Sequence, residues 1–371
     1  MCRRFTKEEK GVENVLPNYV SGDYAVGTER FTIIDNDRDE ILGAGEGKRR
    51  IAVRMYYPVC RESIVGMERA EVLSARKVLE IQKSYRVKKI APKMVKADCY
   101  ENAAHVEGKQ FPLVIYSHGY NAYIEANNML CCDLASHGYV VASVGHANEA
   151  VINEYDDGSY DLYDKKINKM MYDNVLTTMV GQLRLMKIKG TNEEIYEKFD
   201  AFQRKHMNYI MSRIPQWAQD CMCVVKDLEL RYSQWIDFSV GIGAIGHSLG
   251  GATAYYLCHH EERITCGINI DGGLFGEYEN MTMTKPFMQI CCEDNYNVET
   301  RSLFGSDAPV ECEVFKDMKH LGFTDAKFYG MPAMMVGKMD GVKMYERPSS
   351  CHLRFLNNYL YIKKYMTCYN K

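Results

Sequence analysis

The chain has 371 residues, of which 46% are apolar and 26% charged, so it is long enough for one large α/β domain with insertions. Its 46 Lys and Arg residues against 49 Asp and Glu leave a formal charge of −3, which argues against a nucleic-acid partner because phosphate-binding proteins carry excess positive charge. No apolar run approaches the roughly 18 uncharged residues of a membrane helix, and residues 1–10 lack the apolar middle of a secretory signal. These features predict a cytoplasmic protein without a transmembrane segment. They are compatible with peripheral contact with a membrane.

The first elements predict the edge of a sheet. Residues 1–18 are polar and are predicted to form a tail ahead of a single domain that spans residues 19–371. Apolar runs at residues 30–34 and 51–57, separated by a charged, glycine-containing stretch, favour two antiparallel strands. The composition of residues 74–96 predicts a basic helix.

The central sheet is predicted to begin at residues 111–116, because a short continuous apolar run is typical of a strand buried on both faces. A helix at residues 124–137 and a strand at residues 139–144 follow and complete a strand-helix-strand unit. Residues 148–237 then read as a mostly helical insertion, whose helices between Met170 and Met211 could form a lid or pack as core.

The remaining elements complete a mostly parallel sheet flanked by helices. Four further strands alternate with helical stretches, and a closing amphipathic helix is predicted over residues 350–371. The predicted strands cover residues 240–245, 264–270, 286–291 and 310–315. The predicted fold class is therefore α/β.

The most specific chemical signal is the pattern Gly-x-Ser-x-Gly at residues 246–250, placed between a predicted strand and a predicted helix. A tight strand-to-helix turn projects its central side chain and needs small residues two positions before and after it. Gly246 and Gly250 meet this need, so Ser248 is the predicted nucleophile of a hydrolase.

A serine nucleophile needs a histidine base, and in this fold the base follows the serine along the chain. Of the four downstream histidines, His259 and His260 end the helix that begins at the turn, and His352 opens the closing helix. His320 remains, in a loop just after the last strand, and is the predicted base.

The acid that orients the histidine has more than one candidate. Asp271 directly follows a strand and stands where open α/β sheets bind their ligands. Glu293 and Asp294 follow the next strand, and spacing along the chain does not separate them from Asp271.

Two backbone N–H groups are predicted to stabilise the oxyanion of an acyl-transfer reaction. One belongs to Leu249, at the start of the helix after Ser248, and the other to Tyr120, in the turn Ser117-His118-Gly119-Tyr120 after the first buried strand. His118 is interpreted as a side chain that holds this turn.

No cofactor is implied by such a site, and no metal site is predicted. The nearest approach to a zinc pattern is Cys221-Met222-Cys223, which has no second pair of ligands. The 14 cysteines are interpreted as reduced thiols, many of them inside apolar runs.

Several blocks of the sequence resemble the platelet-activating factor acetylhydrolase group of α/β-hydrolases, which includes lipoprotein-associated and intracellular type II phospholipases, and more loosely their bacterial dienelactone-hydrolase-like relatives. The similar blocks are residues 111–119, 133–142, 246–253, 266–271 and 320–325. By position, the resemblance implies Ser248 as nucleophile, His320 as base and Asp271 as acid, in preference to Glu293 and Asp294. The chain differs from the group at Leu249 and at Gly272-Gly273, which is expected to change the acyl pocket.

The resemblance implies a serine esterase that acts through an acyl-enzyme on short or oxidised acyl esters, such as the sn-2 acyl groups of lipids related to platelet-activating factor. Two alternatives stay open. One is a general carboxylesterase or polyester hydrolase without lipid preference, and the other is a non-catalytic binding module on a hydrolase scaffold.

Overall fold

The computed structural model describes residues 14–17, 19–43, 47–87, 94–170, 175–278 and 281–361. The strands in these ranges are β1 (Asn14–Val15), β2 (Ala25–Asp39), β3 (Lys48–Val59), β4 (Glu71–Leu73), β5 (Val95–Lys96), β6 (Tyr100–Glu101), β7 (Phe111–Ser117), β8 (Val140–Val144), β9 (Ile152–Glu154), β10 (Tyr160–Leu162), β11 (Ile236–His247), β12 (Ile264–Ile270), β13 (Phe287–Cys292) and β14 (Val310–Phe315). The α-helices are α1 (Ala75–Tyr85), α2 (Asn128–Ser136), α3 (Ile167–Met170), α4 (Val175–Leu185), α5 (Asn192–His206), α6 (Asn208–Tyr232), α7 (Leu249–His260), α8 (Ala333–Val336) and α9 (Gly341–Leu356).

Nine strands form one sheet in the order β14-β13-β12-β11-β7-β8-β3-β2-β6. Neighbours are parallel from β14 through β8, whereas β3 is antiparallel to both β8 and β2. This order confirms the predicted mostly parallel sheet with an antiparallel pair toward one edge. The carboxyl ends of β7, β11 and β12 consequently meet at one edge of the sheet.

The middle of the sheet is buried on both faces, as the sequence predicts for β7. Val114 and Tyr116 pack in one hydrophobic cluster with α2, while Leu113 and Ile115 pack in a second cluster with α6 and α7. Because side chains alternate along a strand, one apolar run supplies both layers of the core. The strand ends that surround Ser248 therefore rest on a rigid support.

The segment from residue 148 to residue 237 holds a short hairpin, β9-β10, followed by helices α3 to α6. The hairpin is not part of the predicted, mostly helical insertion. In α6, Val225 and Leu228 pack against the sheet, while Ile214 and Trp217 lie in a cluster with Leu249 at the start of α7. This helix therefore connects the sheet to the turn that carries Ser248.

The outer part of the insertion presents apolar side chains to solvent. Met170 and Leu183 are exposed, and the side chains of Met171 and Met179 lie outside the described residues. Within the part of the chain that the structure describes, no helix combines the length and apolar character needed to cross a bilayer. A lid role for these helices stays a prediction.

The predicted polar tail is wrong for its last part. Asn14 and Val15 pair with β5, and Leu16 is 4% exposed, because its apolar side chain belongs to the main core cluster. Residues 1–13 and 18 lie outside the described residues.

Helix boundaries also differ from their predictions, and α2 spans Asn128–Ser136 rather than residues 124–137. The predicted helix 74–96 ends at Tyr85, where Arg86 takes a left-handed backbone with φ of 55°, and Val95–Lys96 forms β5. The closing helix begins at Gly341, well before residue 350, because Asp340 caps its first N–H groups. Its predicted end, residues 362–371, lies outside the described residues.

The 12 cysteines among the described residues are free thiols.

Candidate active site

Ser248 lies in the turn between β11 and α7, and this turn has a strained backbone. The φ and ψ of Ser248 are 57° and −121°, a combination that costs free energy for a residue with a side chain. A Cβ atom at Gly246 would lie 2.0 Å from the carbonyl oxygen of Gly250, and one at Gly250 would lie 2.1 Å from that of Ser117. Both positions therefore require glycine, as the sequence pattern indicates.

His320 reaches Ser248 from the loop after β14. Its Nε2 lies 3.0 Å from Ser248 Oγ, and its side chain is 39% exposed. His247 Nε2 donates a hydrogen bond to the carbonyl of His320 at 3.0 Å, and Asn127 Nδ2 donates one to the carbonyl of Phe323 at 2.7 Å. These bonds fix the loop against the turn of Ser248 and against the start of α2.

Asp271 directly follows β12 and contacts the other side of the imidazole. Its Oδ2 lies 2.7 Å from His320 Nδ1, and its Oδ1 accepts a hydrogen bond from the backbone N–H of Cys292 at 2.6 Å. Burial by itself would raise the pKa of Asp271, but the hydrogen bonds from His320 and Cys292 outweigh burial and lower the pKa below its usual value. The carboxylate is therefore ionised and accepts a hydrogen bond from the Nδ1–H group of His320.

The alternative acids lie elsewhere. Asp294 forms an ion pair with Lys319, and both Glu293 and Asp294 are exposed. The structure thus brings together Ser248, His320 and Asp271, and it leaves the two carboxylates after β13 out of the chain of hydrogen bonds.

A buried histidine beside His320 has a distinct electrostatic role. Burial, and next the neighbouring His320, lower the pKa of His247 to about 3. Its ring lies 4.6 Å from that of His320, measured between centroids. Because His247 is neutral at pH 7, it places no positive charge beside the imidazole of His320.

The two predicted oxyanion donors belong to backbone segments next to Ser248. Leu249 is the first residue of α7, and the first N–H groups of a helix have no intrahelical partner. The turn after β7 passes close to Ser248, since a Cβ atom at Gly119 would lie 3.1 Å from Ser248 Cβ. Tyr120 follows Gly119 in this turn, and His118 Nδ1 donates to the Gly119 carbonyl at 2.7 Å.

A cleft gives access to Ser248 and His320. Besides the histidines and Ser248, it is lined by three tyrosines and by small or aliphatic residues: Tyr85, Gly119, Tyr120, Ala122, Tyr123, Ala126, Leu321, Thr324 and Ala326. The cleft can therefore hold a compact, largely apolar group next to the serine.

Leu249 and Gly272 lie beside the turn of Ser248 and do not line the described cleft, so the change that they are expected to make in the acyl pocket stays a prediction. The side chain of Leu249 packs against Ile210 and Trp217 rather than into the cleft. A Cβ atom at Gly272 would lie 2.0 Å from the carbonyl oxygen of Ser248, so this glycine lets Asp271 approach the turn. Both differences concern packing around Ser248, not the wall of the described cleft.

Sequence reasoning missed Asn295, which completes the surroundings of the acid. Asn295 Nδ2 donates to Asp271 Oδ2 at 2.7 Å. The residue lies in a turn after β13 with no motif around it, so only its position in the fold reveals the contact. Together these groups form a serine, an imidazole and a buried carboxylate in series, an arrangement that can transfer a proton during attack on a carbonyl.

Comparison with known proteins gives a family match across most of the chain. The family described as platelet-activating factor acetylhydrolase, isoform II, matches residues 11–303, which include Ser248 and Asp271 but not His320. The platelet-activating factor acetylhydrolase of Cavia porcellus is 24% identical over 285 residues, covering 73% of this chain and 62% of the relative. That of Bos taurus is 26% identical over 282 residues, covering 70% and 60%. The chain thus matches less than two thirds of the length of these relatives.

A solved structure supports the fold independently. The ferulic acid esterase from Streptomyces cinnamoneus superposes with a TM-score of 0.73 at 20% identity, covering 94% of each chain. At this identity the likeness shows a shared α/β-hydrolase fold, and the sheet order is in accord with it.

Proposed function

Because the chain belongs to the platelet-activating factor acetylhydrolase, isoform II, family, we propose that it is a carboxylic ester hydrolase with Ser248 as its nucleophile. The observation that carries the proposal is the continuous hydrogen-bond chain from Ser248 Oγ through His320 to Asp271, with bonds of 3.0 and 2.7 Å. Its outer end opens into the cleft, and its inner end is a buried, ionised carboxylate.

In the proposed reaction, His320 Nε2 takes the proton of Ser248 as Oγ attacks the ester carbonyl. The carbonyl oxygen becomes an oxyanion, which the N–H groups of Leu249 and Tyr120 stabilise. Asp271 holds the imidazole in the Nδ1–H tautomer and stabilises the imidazolium. His320 then gives its proton to the leaving alcohol, and a water molecule activated by the same imidazole releases the acid from the acyl-enzyme.

The proposed substrates carry short or oxidised acyl groups, such as the sn-2 acetyl group of phospholipids related to platelet-activating factor. Two observations support this class: the name of the family, and a cleft whose walls include Ala122, Ala126 and Ala326 beside the reactive groups. The small side chains of these alanines leave space for a compact acyl group, and the opening of the cleft to solvent leaves space for a large alcohol. A general carboxylesterase would share the chemistry but not the preference for a phospholipid head group.

The test is steady-state hydrolysis of p-nitrophenyl acetate, butyrate and octanoate, together with sn-2 acetyl and sn-2 palmitoyl phosphatidylcholines. We expect the acetyl esters to be preferred in both series and Ser248→Ala to lose activity on every substrate. Ser350→Ala, which removes an exposed hydroxyl from α9, is the matched control and should keep the wild-type rate.

Equal rates for the phospholipid and p-nitrophenyl esters of one chain length would favour the general esterase. Folded wild-type protein without activity on the whole panel would favour a binding module and contradict the proposal.

A further inference from the structure

A second Ser-His-Asp chain lies beneath the turn that carries Tyr120. Ser117 Oγ is 2.9 Å from His146 Nε2, and His146 Nδ1 is 2.8 Å from Asp220 Oδ2. The exposed fractions of the three residues are 2%, 0% and 0%, respectively. A substrate cannot reach Ser117, so this chain has no role as a nucleophile.

The donor and the acceptor can be assigned in each hydrogen bond of this buried chain. Asp220 Oδ1 accepts hydrogen bonds from Arg49 Nε at 2.8 Å and from Arg38 Nη2 at 2.6 Å, and these cations keep the carboxylate ionised. An ionised carboxylate only accepts hydrogen bonds, so His146 donates to it through Nδ1. His146 Nε2 must then accept the hydrogen bond of the Ser117 hydroxyl.

The chain connects three elements where the Tyr120 turn leaves the sheet. Ser117 is the last residue of β7, His146 follows β8, and Asp220 lies in α6. The carbonyl of Ser117 packs against α7, at the position where a Cβ atom of Gly250 would come within 2.1 Å. A shift of Ser117 would therefore move the turn relative to Ser248.

The far end of the same turn is also tied to α6. The backbone N–H of Asn121 donates to the carbonyl of Glu149 at 2.9 Å. The Glu149 carboxylate accepts two hydrogen bonds from Arg213, at 2.9 and 2.8 Å, and one from Trp217 Nε1 at 2.9 Å. Trp217 in turn stacks on His146, with 3.7 Å between ring centroids. The turn is thus held on both sides of Tyr120 by groups that lead to one helix.

We propose that Ser117, His146 and Asp220 are positioning residues, which set the turn so that the Tyr120 N–H points at the carbonyl oxygen of the ester bound at Ser248. The inference rests on the proposed function and adds a cause for the oxyanion geometry. It assigns α6 of the insertion a part in the reaction that does not depend on movement of a lid.

The expected effect is on the transition state rather than on substrate binding. Ser117→Ala removes the hydroxyl that anchors the turn. Displacement of the N–H donor should weaken its hydrogen bond to the oxyanion of the transition state more than it weakens binding of the uncharged ester. We expect kcat for p-nitrophenyl acetate to fall by about 10–100-fold while KM stays within about twofold. A trifluoromethyl ketone, which forms a tetrahedral adduct with the serine, should lose affinity by a similar factor.

Ser136→Ala is the matched control. Ser136 is equally buried, and its hydroxyl bonds to the carbonyl of Asp133 at 2.7 Å in α2, away from the Tyr120 turn. This variant should keep the wild-type kcat and the wild-type affinity for the ketone. Ser117→Cys, which keeps a donor at this position but a weaker and somewhat larger one, should fall between Ser117→Ala and wild type.

Each outcome decides between separate claims. Loss of activity in Ser248→Ala with an unchanged kcat in Ser117→Ala would overturn the positioning role and leave the proposed function intact. Full activity in Ser248→Ala would overturn the proposed function itself. If both Ser117 variants fail to fold while Ser136→Ala folds, the buried chain serves stability alone and the inference is wrong.

Discussion

Ser248-His320-Asp271 and Ser117-His146-Asp220 consist of the same residue types joined by the same two kinds of hydrogen bond. The serine-histidine distances are 3.0 and 2.9 Å, and the histidine-aspartate distances are 2.7 and 2.8 Å. By these distances the two chains are indistinguishable. Their surroundings differ, and those surroundings separate a candidate catalytic group from a structural one.

The first difference is access. His320 is 39% exposed at a cleft, and Ser248 projects from a strained turn, whereas the side chains of Ser117 and His146 are enclosed by the sheet and α6. The second difference is charge. Asp271 is held by an N–H group and an amide, but Asp220 is held by two arginines, which oppose a positive charge on His146.

Charge and burial together decide which imidazole can act as a base. Burial lowers the pKa of His146, and Arg49 lowers it further, although Asp220 acts in the opposite direction. An imidazole that resists protonation cannot accept the proton of a serine at neutral pH. A Ser-His-Asp trio is thus evidence for catalysis only when the carboxylate is left free to stabilise an imidazolium.

Replacing each histidine by alanine should give the largest contrast. His320→Ala is expected to lower kcat by roughly 10⁴-fold or more with little effect on the melting temperature, because the side chain is partly exposed. His146→Ala removes a buried ring stacked on Trp217 and should lower the free energy of unfolding by about 2–4 kcal/mol. Turnover assays and thermal denaturation of both variants test this, and a His320→Ala protein with more than about a tenth of wild-type activity would exclude His320 as the base.

Replacement of the two aspartates should show the same contrast, with turnover affected at Asp271 and stability affected at Asp220. Asp271→Asn keeps the shape of the acid but removes the charge that supports the imidazolium, so kcat should fall by roughly 10³–10⁴-fold. Asp220→Asn removes the charge that Arg49 and Arg38 share, which leaves Arg49 with Glu40 and Glu149 and leaves Arg38 with Asp35, and it should cost about 3 kcal/mol of stability. Urea denaturation measures the stability of each variant, and steady-state kinetics measures its kcat. Equal losses of stability in Asp271→Asn and Asp220→Asn would contradict the expected difference between the two aspartates.

A methyl group at the contact between the two Ser-His-Asp hydrogen-bond chains should disturb both of them. Gly250→Ala would place a Cβ atom 2.1 Å from the Ser117 carbonyl, so it should lower stability by about 2–4 kcal/mol. Gly66→Ala is the control, because a Cβ atom there meets nothing within 4 Å and costs only about 1 kcal/mol for its positive φ. The urea midpoints of the two variants give the comparison, and similar midpoints would show that the contact can relax.

The smallest expected effect concerns Asn295. Asn295→Ala removes one donor to Asp271 while the Cys292 N–H and His320 remain, so kcat should fall by about tenfold. The neighbouring Asn297 binds the carbonyls of Leu185 and Ile188 instead, and Asn297→Ala should keep the wild-type kcat. An unchanged kcat in Asn295→Ala would show that the remaining donors suffice.

The extent to which the sequence predicts these features depends on how local their causes are. The turn at Ser248 follows from residues within two positions of it, and β12 and β14 have their predicted bounds because their apolar runs are short and sharply ended. The choice of Asp271 over Glu293 and Asp294 needed the family resemblance, because it depends on which strand end faces the His320 loop.

The buried chain could not be found from the sequence. Ser117, His146 and Asp220 lie on three separate elements, and no short motif links them. His118 was the histidine expected to hold the turn, and it does so locally through Gly119, whereas His146 makes the long-range connection. The left-handed Arg86 depends on the backbone of a single residue, and the cap at Asp340 depends on one side chain that accepts hydrogen bonds from Val342 and Lys343, so the periodicity of the sequence predicts neither.

The central claim is that Ser248, and not Ser117, is the reactive serine. Its most direct test is to label the folded wild-type protein with a fluorophosphonate and map the adduct by peptide mass spectrometry. We predict one adduct, on Ser248, with no label on Ser117 and none on the folded His320→Ala variant at matched times. An adduct on Ser117, or labelling that is undiminished in His320→Ala, would contradict the account.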